Sequence, residues 1–191
     1  MDILFATNNE HKINEIKNLL GSRYHILGLD DAGITEEIPE NEETLEGNAL
    51  AKSRYVYNLT GVNVFADDTG LEVRSLGNRP GVHSARYAGN GRDSNDNMEK
   101  VLAEMEDLHD RSARFRTVIA LILDGKEYLF EGIVEGKIIM EKRGIEGFGY
   151  DPIFIASGMD KTFAEISLEE KNMISHRARA IKKLTDFLDR Q

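Results

Sequence analysis

Residues 3–20 read Ile3-Leu-Phe-Ala-Thr-Asn-Asn-Glu-His-Lys-Ile-Asn-Glu-Ile-Lys-Asn-Leu-Leu20. The apolar run Ile3 to Ala6 stops at the polar Thr7-Asn8-Asn9. Beyond it Ile13, Ile16 and Leu20 recur at helical spacing until Gly21, so the order is strand, loop, helix. Tyr24 to Leu29 reads as a second strand, and Thr44 opens a helix to about Leu59. Val62 to Ala66 is a β-branched and aromatic strand closed by the turn Asp67-Asp68-Thr69-Gly70, with Leu71 to Arg74 as another short strand. Gly77 to Gly91 is loop-rich, and Met98, Val101, Leu102 and Met105 predict a helix from Asp93 to about Leu108. Phe115 to Leu123 and Glu127 to Val134 flank Asp124-Gly125 as a hairpin. Gly136 to Gly149 is irregular, Ile153 to Ile155 is a short strand, and Ile174, Ala178, Ile181, Leu184 and Leu188 mark an amphipathic last helix. Alternating strands and helices followed by a hairpin predict an α/β fold with a mixed central sheet and a cleft, residues 1–191 forming a single domain.

The 191 residues are 40% hydrophobic and 30% charged, enough apolar material for a core and too much for a disordered chain. Lys plus Arg number 24 against 34 Asp plus Glu, a formal net charge of −10, which repels nucleic-acid backbones and anionic lipid. No nucleic-acid polymer is expected as a partner. Without cysteine there is no disulfide, thiolate nucleophile or sulfur-bound metal, so any metal sits on oxygen or histidine. No basic segment precedes the first apolar run, and the longest apolar run is Val118 to Leu123, so neither a signal peptide nor a membrane span is expected and the reading is cytoplasmic.

Several strings carry chemistry. Asn9 suits the N-cap of the first helix, whose free N–H groups and positive dipole end attract anions. Lys12 opposes that dipole, which fits either an anionic ligand or a solvated lysine on an ordinary capped helix. Asp67-Asp68 offers adjacent carboxylates for a hard cation and for accepting a proton, and crowding would raise one pKa; a plain polar turn is the alternative. The acidic segment Glu36 to Glu43 offers a second oxygen ligand for the same cation. Asp68-Thr69-Gly70 also matches an aspartic-protease triplet, but one copy in an α/β pattern argues against that chemistry. Gly132 to Ile138 lacks the glycine spacing and the hydroxyl of a phosphate-binding Walker loop.

Lys52 falls on a helical stripe with Leu45, Ala49, Val56 and Leu59, so it is expected to be buried and to need an anion, internal or bound. Ser167-Leu-Glu-Glu170 is a capping box opening a short helix with Lys171, and Ser175 suits the cap of the last helix, placing His176 and Arg177 in its first turn. Gly147-Phe-Gly-Tyr-Asp-Pro152 lets backbone approach closely and offers aromatics to a planar ring, or is a tight loop with a core phenylalanine.

Together Phe5 to Lys12, Thr44 to Lys52, Ala66 to Leu71, Pro80 to Gly89, Gly147 to Pro152 and Ser175 to Arg177 resemble the inosine triphosphate pyrophosphatase family over nearly the whole chain. The resemblance implies two lobes around a nucleotide-binding cleft and a homodimer. It implies Mg²⁺-dependent hydrolysis of inosine, deoxyinosine and xanthosine triphosphates to monophosphate and pyrophosphate. By the same resemblance Thr7, Asn8, Asn9, Glu10, His11 and Lys12 cradle the triphosphate, Glu40 and Asp68 hold the metal, and Asp68 acts as general base. Glu42 and Glu43 are alternatives to Glu40. Lys52 and Thr69 line the phosphate end, while Phe148, Gly149, Tyr150, Asp151, Lys171, His176 and Arg177 form the substrate pocket, Phe148 stacking on the purine. Gly47 stands where a carboxylate is common in that family. The competing expectations are a related pyrophosphatase for other modified bases and a nucleotide sensor without turnover.

Overall fold

A computed structural model describes residues 2–20, 24–36 and 38–191. Gly21, expected to end the first helix, and Glu37 of the acidic connection lie outside the described residues. The strands are β1 (Asp2–Phe5), β2 (His25–Leu27), β3 (Val64–Val73), β4 (Arg79–Pro80), β5 (Ser112–Leu123), β6 (Lys126–Ile138) and β7 (Phe154–Ala156). The helices are α1 (Glu10–Leu20), α2 (Leu45–Thr60), α3 (Ser94–Glu104), α4 (Leu168–Ile174) and α5 (His176–Leu188). The strands follow the order β2-β1-β3-β5-β6-β7, with β4 pairing β3. Parallel β1–β2 and β1–β3 pairs and antiparallel β3–β4 and β6–β7 pairs bear out the mixed α/β expectation.

Contacts divide the chain into two compact units, the first comprising Met1–Asp68, Thr117–Gly132 and Ala178–Gln191, the second Thr69–Arg116 and Ile133–Arg177. In the first unit, side chains alternate across the sheet as the pleat requires. Ile3, Phe5, Phe65, Ile119 and Leu121 pack with Ile16 and Leu20 of α1 and with Ile181 and Leu184 of α5. Leu4, Ala6, Val64, Ala66 and Ile122 face the other way and pack with Val56 of α2. The sheet is therefore covered on both faces, the arrangement that parallel strands require.

In the second unit the apolar face belongs to Leu71, Val73, Ala113, Phe115, Val134 and Ile138, covered by Met98 and Val101 of α3. The intervening positions are polar: Arg114 Nε lies 2.6 Å from Glu72 Oε2. The period-two pattern is plain in both units, and it determines where the charged residues point.

Several boundaries differ from the sequence reading. No turn closes at Asp67-Asp68-Thr69-Gly70; β3 runs straight through it. Carboxylates are poor strand formers, but both have cationic or amide partners here. Gly70 serves close approach instead of a turn, since a Cβ there would lie 2.5 Å from the Gly81 carbonyl oxygen. Likewise β6 extends through Ile138, and Gly136 within it leaves room for Ile155 O, 2.2 Å from where a Cβ would stand. β2 is shorter than predicted because Leu29 already leads into a 3-10 turn. Ile153 ends another such turn, so β7 begins at Phe154. Leu59, assigned to the buried stripe of α2, is 60% exposed. Among the described residues no helix is long and apolar enough to cross a membrane.

Candidate active site

In the first unit the alternation along β3 separates the two aspartates. Asp67 shares the side of Phe65 and meets α1, where Lys12 Nζ donates to its Oδ1 at 3.0 Å. Asp68 shares the side of Ala66 and meets α2, where Asn48 Nδ2 donates to its Oδ2 at 3.0 Å and Lys52 Nζ lies 3.9 Å from its Oδ1. The expectation of a crowded carboxylate pair is corrected here, because neighbours on a strand point to opposite faces. The Asp68 pKa is raised nonetheless, chiefly because burial disfavours its charge, with Glu40 adding and Lys52, Lys12 and Asn48 opposing.

Lys52 is the hub of this half. It is 5% exposed, and its ammonium donates to Glu40 Oε1 at 2.5 Å and to the Asp67 carbonyl at 2.8 Å. Burial works against its charge, yet the carboxylates of Asp68, Glu40 and Asp67 outweigh it and hold the pKa above the ordinary lysine value. Glu40 is thus the member of the acidic connection that reaches Lys52. Glu42 and Glu43 are exposed, and the Glu42 backbone donates to Asn48 Oδ1 at 2.9 Å. That connection passes close to the start of α2, where a Cβ on Gly47 would lie 2.8 Å from Glu42 Cβ, a physical reason for glycine at that position.

At the opening of α1, Asn9 caps as expected, its Oδ1 accepting from Lys12 N at 3.2 Å. Thr7 Oγ1 accepts from Asn9 N at 3.2 Å, and Asn8, Asn9, Glu10 and His11 face solvent. Between the two readings of Lys12, an internal partner is present in Asp67.

The second unit holds Thr69, Phe148, Gly149, Tyr150, Asp151, Lys171, His176 and Arg177. The capping box at Ser167 and Glu170 starts α4 as expected and turns Lys171 inward. Its ammonium donates to Asp151 Oδ2 at 2.7 Å and stands 4.8 Å from the Phe148 ring centroid. Asp151 Oδ2 also accepts from Phe148 N at 2.9 Å, which explains Gly147: a Cβ there would lie 2.1 Å from that oxygen. Arg177, 1% exposed, donates from Nη2 to Thr69 Oγ1 at 3.2 Å and lies 5.7 Å from the Phe148 centroid. His176 stacks on Phe115 at 4.6 Å. These two residues do not form a solvated basic helix end; Arg179 and Lys182 further along α5 do. Tyr150 turns away from this group, into the apolar core, and donates its hydroxyl to Ser84 O at 2.8 Å. The peptide bond from Asp68 to Thr69 joins the two groups along the chain.

A sequence profile of the Ham1 family matches residues 3–187. The chain belongs to the Ham1 family. This Ham1 chain is 52% identical over 187 residues to the dITP/XTP pyrophosphatase of Flavobacterium psychrophilum, with 98% of each covered. It is 47% identical over 192 residues to the dITP/XTP pyrophosphatase of Bacillus subtilis, covering 98% of this chain and 97% of that one. Among solved structures, the Staphylococcus aureus Ham1 protein superposes with a TM-score of 0.90 at 40% identity, covering 99% of this chain and 98% of that one. The Coxiella burnetii HAM1 protein gives 0.92 at 37% identity over the whole of both chains.

Two groups in the Ham1 chain had no role in the sequence reading. Asn48 precedes Lys52 by one helical turn, and that i, i+4 spacing beside a buried lysine was the available signal. Phe115 and Phe163, which back His176, carried none, because nothing local marks an aromatic as the floor of a polar group.

Proposed function

We propose that this Ham1-family chain works as one catalytic domain that hydrolyses deaminated purine nucleoside triphosphates, those of inosine, deoxyinosine and xanthosine, to the monophosphate and pyrophosphate. The names of its relatives support the substrate class. The observation that carries the chemistry is Asp68, a buried carboxylate with a raised pKa, steadied by Asn48 and facing Lys52 beside Glu40.

Asp68 takes the proton of the attacking water. The water oxygen bonds to the α-phosphorus while the bond from that phosphorus to the bridging oxygen breaks, and pyrophosphate leaves with the electron pair. A carboxylate made more basic by burial is better suited to this task than an ordinary one. Lys12 and Lys52 neutralise the phosphates, and the N–H groups at the start of α1 add donors, so positioning and charge do most of the work.

Glu40 and Asp68 would hold Mg²⁺. Both turn oxygen toward the Lys52 ammonium, so the fold brings two carboxylates to one point. Among the described residues no three or more His, Asp or Glu side chains gather as a metal site. One or two carboxylates suit a magnesium ion that shares its remaining positions with water and substrate phosphates. Bound there, the ion supplies charge neutralisation on the triphosphate.

In the second unit Phe148 takes the purine face, and Lys171, His176 and Arg177 supply donors to its 6-oxo edge, with Asp151 holding Lys171 and the Phe148 backbone in place. The working form is a cytoplasmic homodimer; sedimentation showing monomer at every concentration removes the dimer. The decisive experiment follows pyrophosphate release from inosine, xanthosine, adenosine and guanosine triphosphates, with Mg²⁺ and with chelator, in the wild type and Asp68→Asn. Metal-dependent release from the first two, lost in the variant with nucleotide binding kept, is expected. Unchanged turnover in Asp68→Asn rejects the mechanism, and release from all four rejects the selectivity.

A further inference from the structure

The loop that carries Phe148 is pinned to one short element of the same unit. Arg143 makes four contacts in and around it, two through its backbone and two through its guanidinium. Its N–H donates to Pro152 O at 2.9 Å and its carbonyl accepts from Thr162 Oγ1 at 2.8 Å. Its Nη2 donates to Asp160 O at 3.0 Å and lies 3.4 Å from Glu165 Oε2. Gly144 follows at φ 86°, and a Cβ there would lie 2.1 Å from Ala164 O, so only glycine fits. The next two N–H groups, of Ile145 and Glu146, both donate to that same carbonyl at 3.0 Å. The loop is thereby laid against the 3-10 turn Phe163–Glu165, whose own capping box uses Glu165 Oε2 to accept from Thr162 N at 2.7 Å.

That turn also reaches Lys171 and His176. Phe163 is fully buried, with its ring 5.7 Å from Lys171 Nζ and 6.4 Å from the His176 ring. Three consecutive residues therefore touch both sides: Phe163 backs Lys171 and His176, while Ala164 and Glu165 hold the loop that ends in Phe148.

We propose that the Phe163–Glu165 turn is the gauge of the base slot, with Arg143 and Glu165 as positioning residues that set the Phe148 ring against Lys171, His176 and Arg177. This rests on the reading of that cluster as the base site. A purine is held only when the ring under its face and the donors at its edge keep their spacing, to within about 0.5 Å. Mounting both on one turn fixes that spacing by local contacts. Arg143 and Glu165 belong to the second unit, whereas Lys12, Glu40, Lys52 and Asp68 belong to the first, so their loss is felt in binding of the base and not in the chemical step.

The test is steady-state kinetics with inosine triphosphate for Arg143→Ala, Glu165→Gln, Arg143→Lys and Phe148→Ala, each with a thermal melt. Arg143→Ala and Glu165→Gln are expected to raise KM about five- to tenfold with kcat within about twofold. Arg143→Lys, which retains a charge for Glu165, is expected to restore KM to within about twofold of wild type. Should Arg143→Ala not fold, Glu165→Gln alone decides. An unchanged KM in Glu165→Gln, or a loss confined to kcat, overturns the gauge when Phe148→Ala does raise KM. An unchanged KM in Phe148→Ala removes the base-site reading and the gauge with it.

Discussion

Replacing Gly70 by alanine tests the account of β3 most directly. The added Cβ would stand 2.5 Å from Gly81 O and 2.8 Å from Gly81 C, about 0.9 Å short of the 3.4 Å where ordinary contact begins. Both atoms are backbone, so no side chain can swing aside. Gly81 O accepts from Ser84 Oγ at 2.6 Å, and that hydroxyl accepts from Leu71 N at 2.9 Å, so moving Gly81 strains a buried relay. Overpacking costs about 1–3 kcal/mol, and one weakened buried hydrogen bond adds about 1 kcal/mol. Alanine recovers about 0.5–1 kcal/mol of backbone entropy within a strand, leaving a net loss of about 1–3.5 kcal/mol. For a chain of this length that lowers Tm by about 2–14 °C. The control is Gly91→Ala, where a Cβ meets nothing within 4 Å, and a change within about 0.5 kcal/mol is expected. Calorimetry and urea midpoints on both variants decide. If Gly70→Ala melts within about 2 °C of Gly91→Ala, the close approach of β3 to Gly81 is wrong.

Asp151→Ala leaves the Lys171 ammonium buried beside a vacated carboxylate position, both side chains being 3% exposed in the pair, and is expected to cost about 3–5 kcal/mol. The double change Asp151→Leu with Lys171→Met is expected to recover much of that loss in urea titrations; equal destabilisation of single and double variants counts against the pair. Tyr87 has its pKa pushed up from 10.0 to about 12, first by burial and then by the Glu104 carboxylate that accepts its hydroxyl at 2.6 Å. The unfolded chain then ionises before the folded one, so stability is unaffected below about pH 10 and falls as pH climbs to about 12. Tyr87→Phe is expected to flatten part of that decline, and parallel urea-midpoint curves for variant and wild type refute the assignment.

What the sequence by itself determined is what neighbouring residues decide among themselves. Caps are of this kind: Asn9, Thr44 and Ser167 bond to N–H groups three residues on, and Asp93 to those two and three residues on. The hairpin after Leu123 turns on Asp124 and Gly125 at φ 50° and 76°, conformations their residue types tolerate. The apolar run Ile3 to Ala6 and the period of Ile13, Ile16 and Leu20 placed β1 and α1 in the core, and the order of strands, helices and hairpin along the chain gave the mixed α/β class. The family was legible because its motifs lie along the chain in order.

The tertiary structure decided whatever depends on partners distant in sequence. Read locally, Asp67-Asp68-Thr69-Gly70 has the composition of a turn; it is strand because Lys12, Asn48 and Lys52 supply the counter-charges and donors, and because Gly81 occupies the space a Cβ would need. That Glu40 pairs with Lys52 was decided by the reach of Lys52 from α2. The inward turn of Tyr150 was made by the Ser84 carbonyl, sixty-six residues earlier. A buried charge or hydroxyl must find a partner wherever the fold brings one, and composition or period along the chain does not encode that meeting.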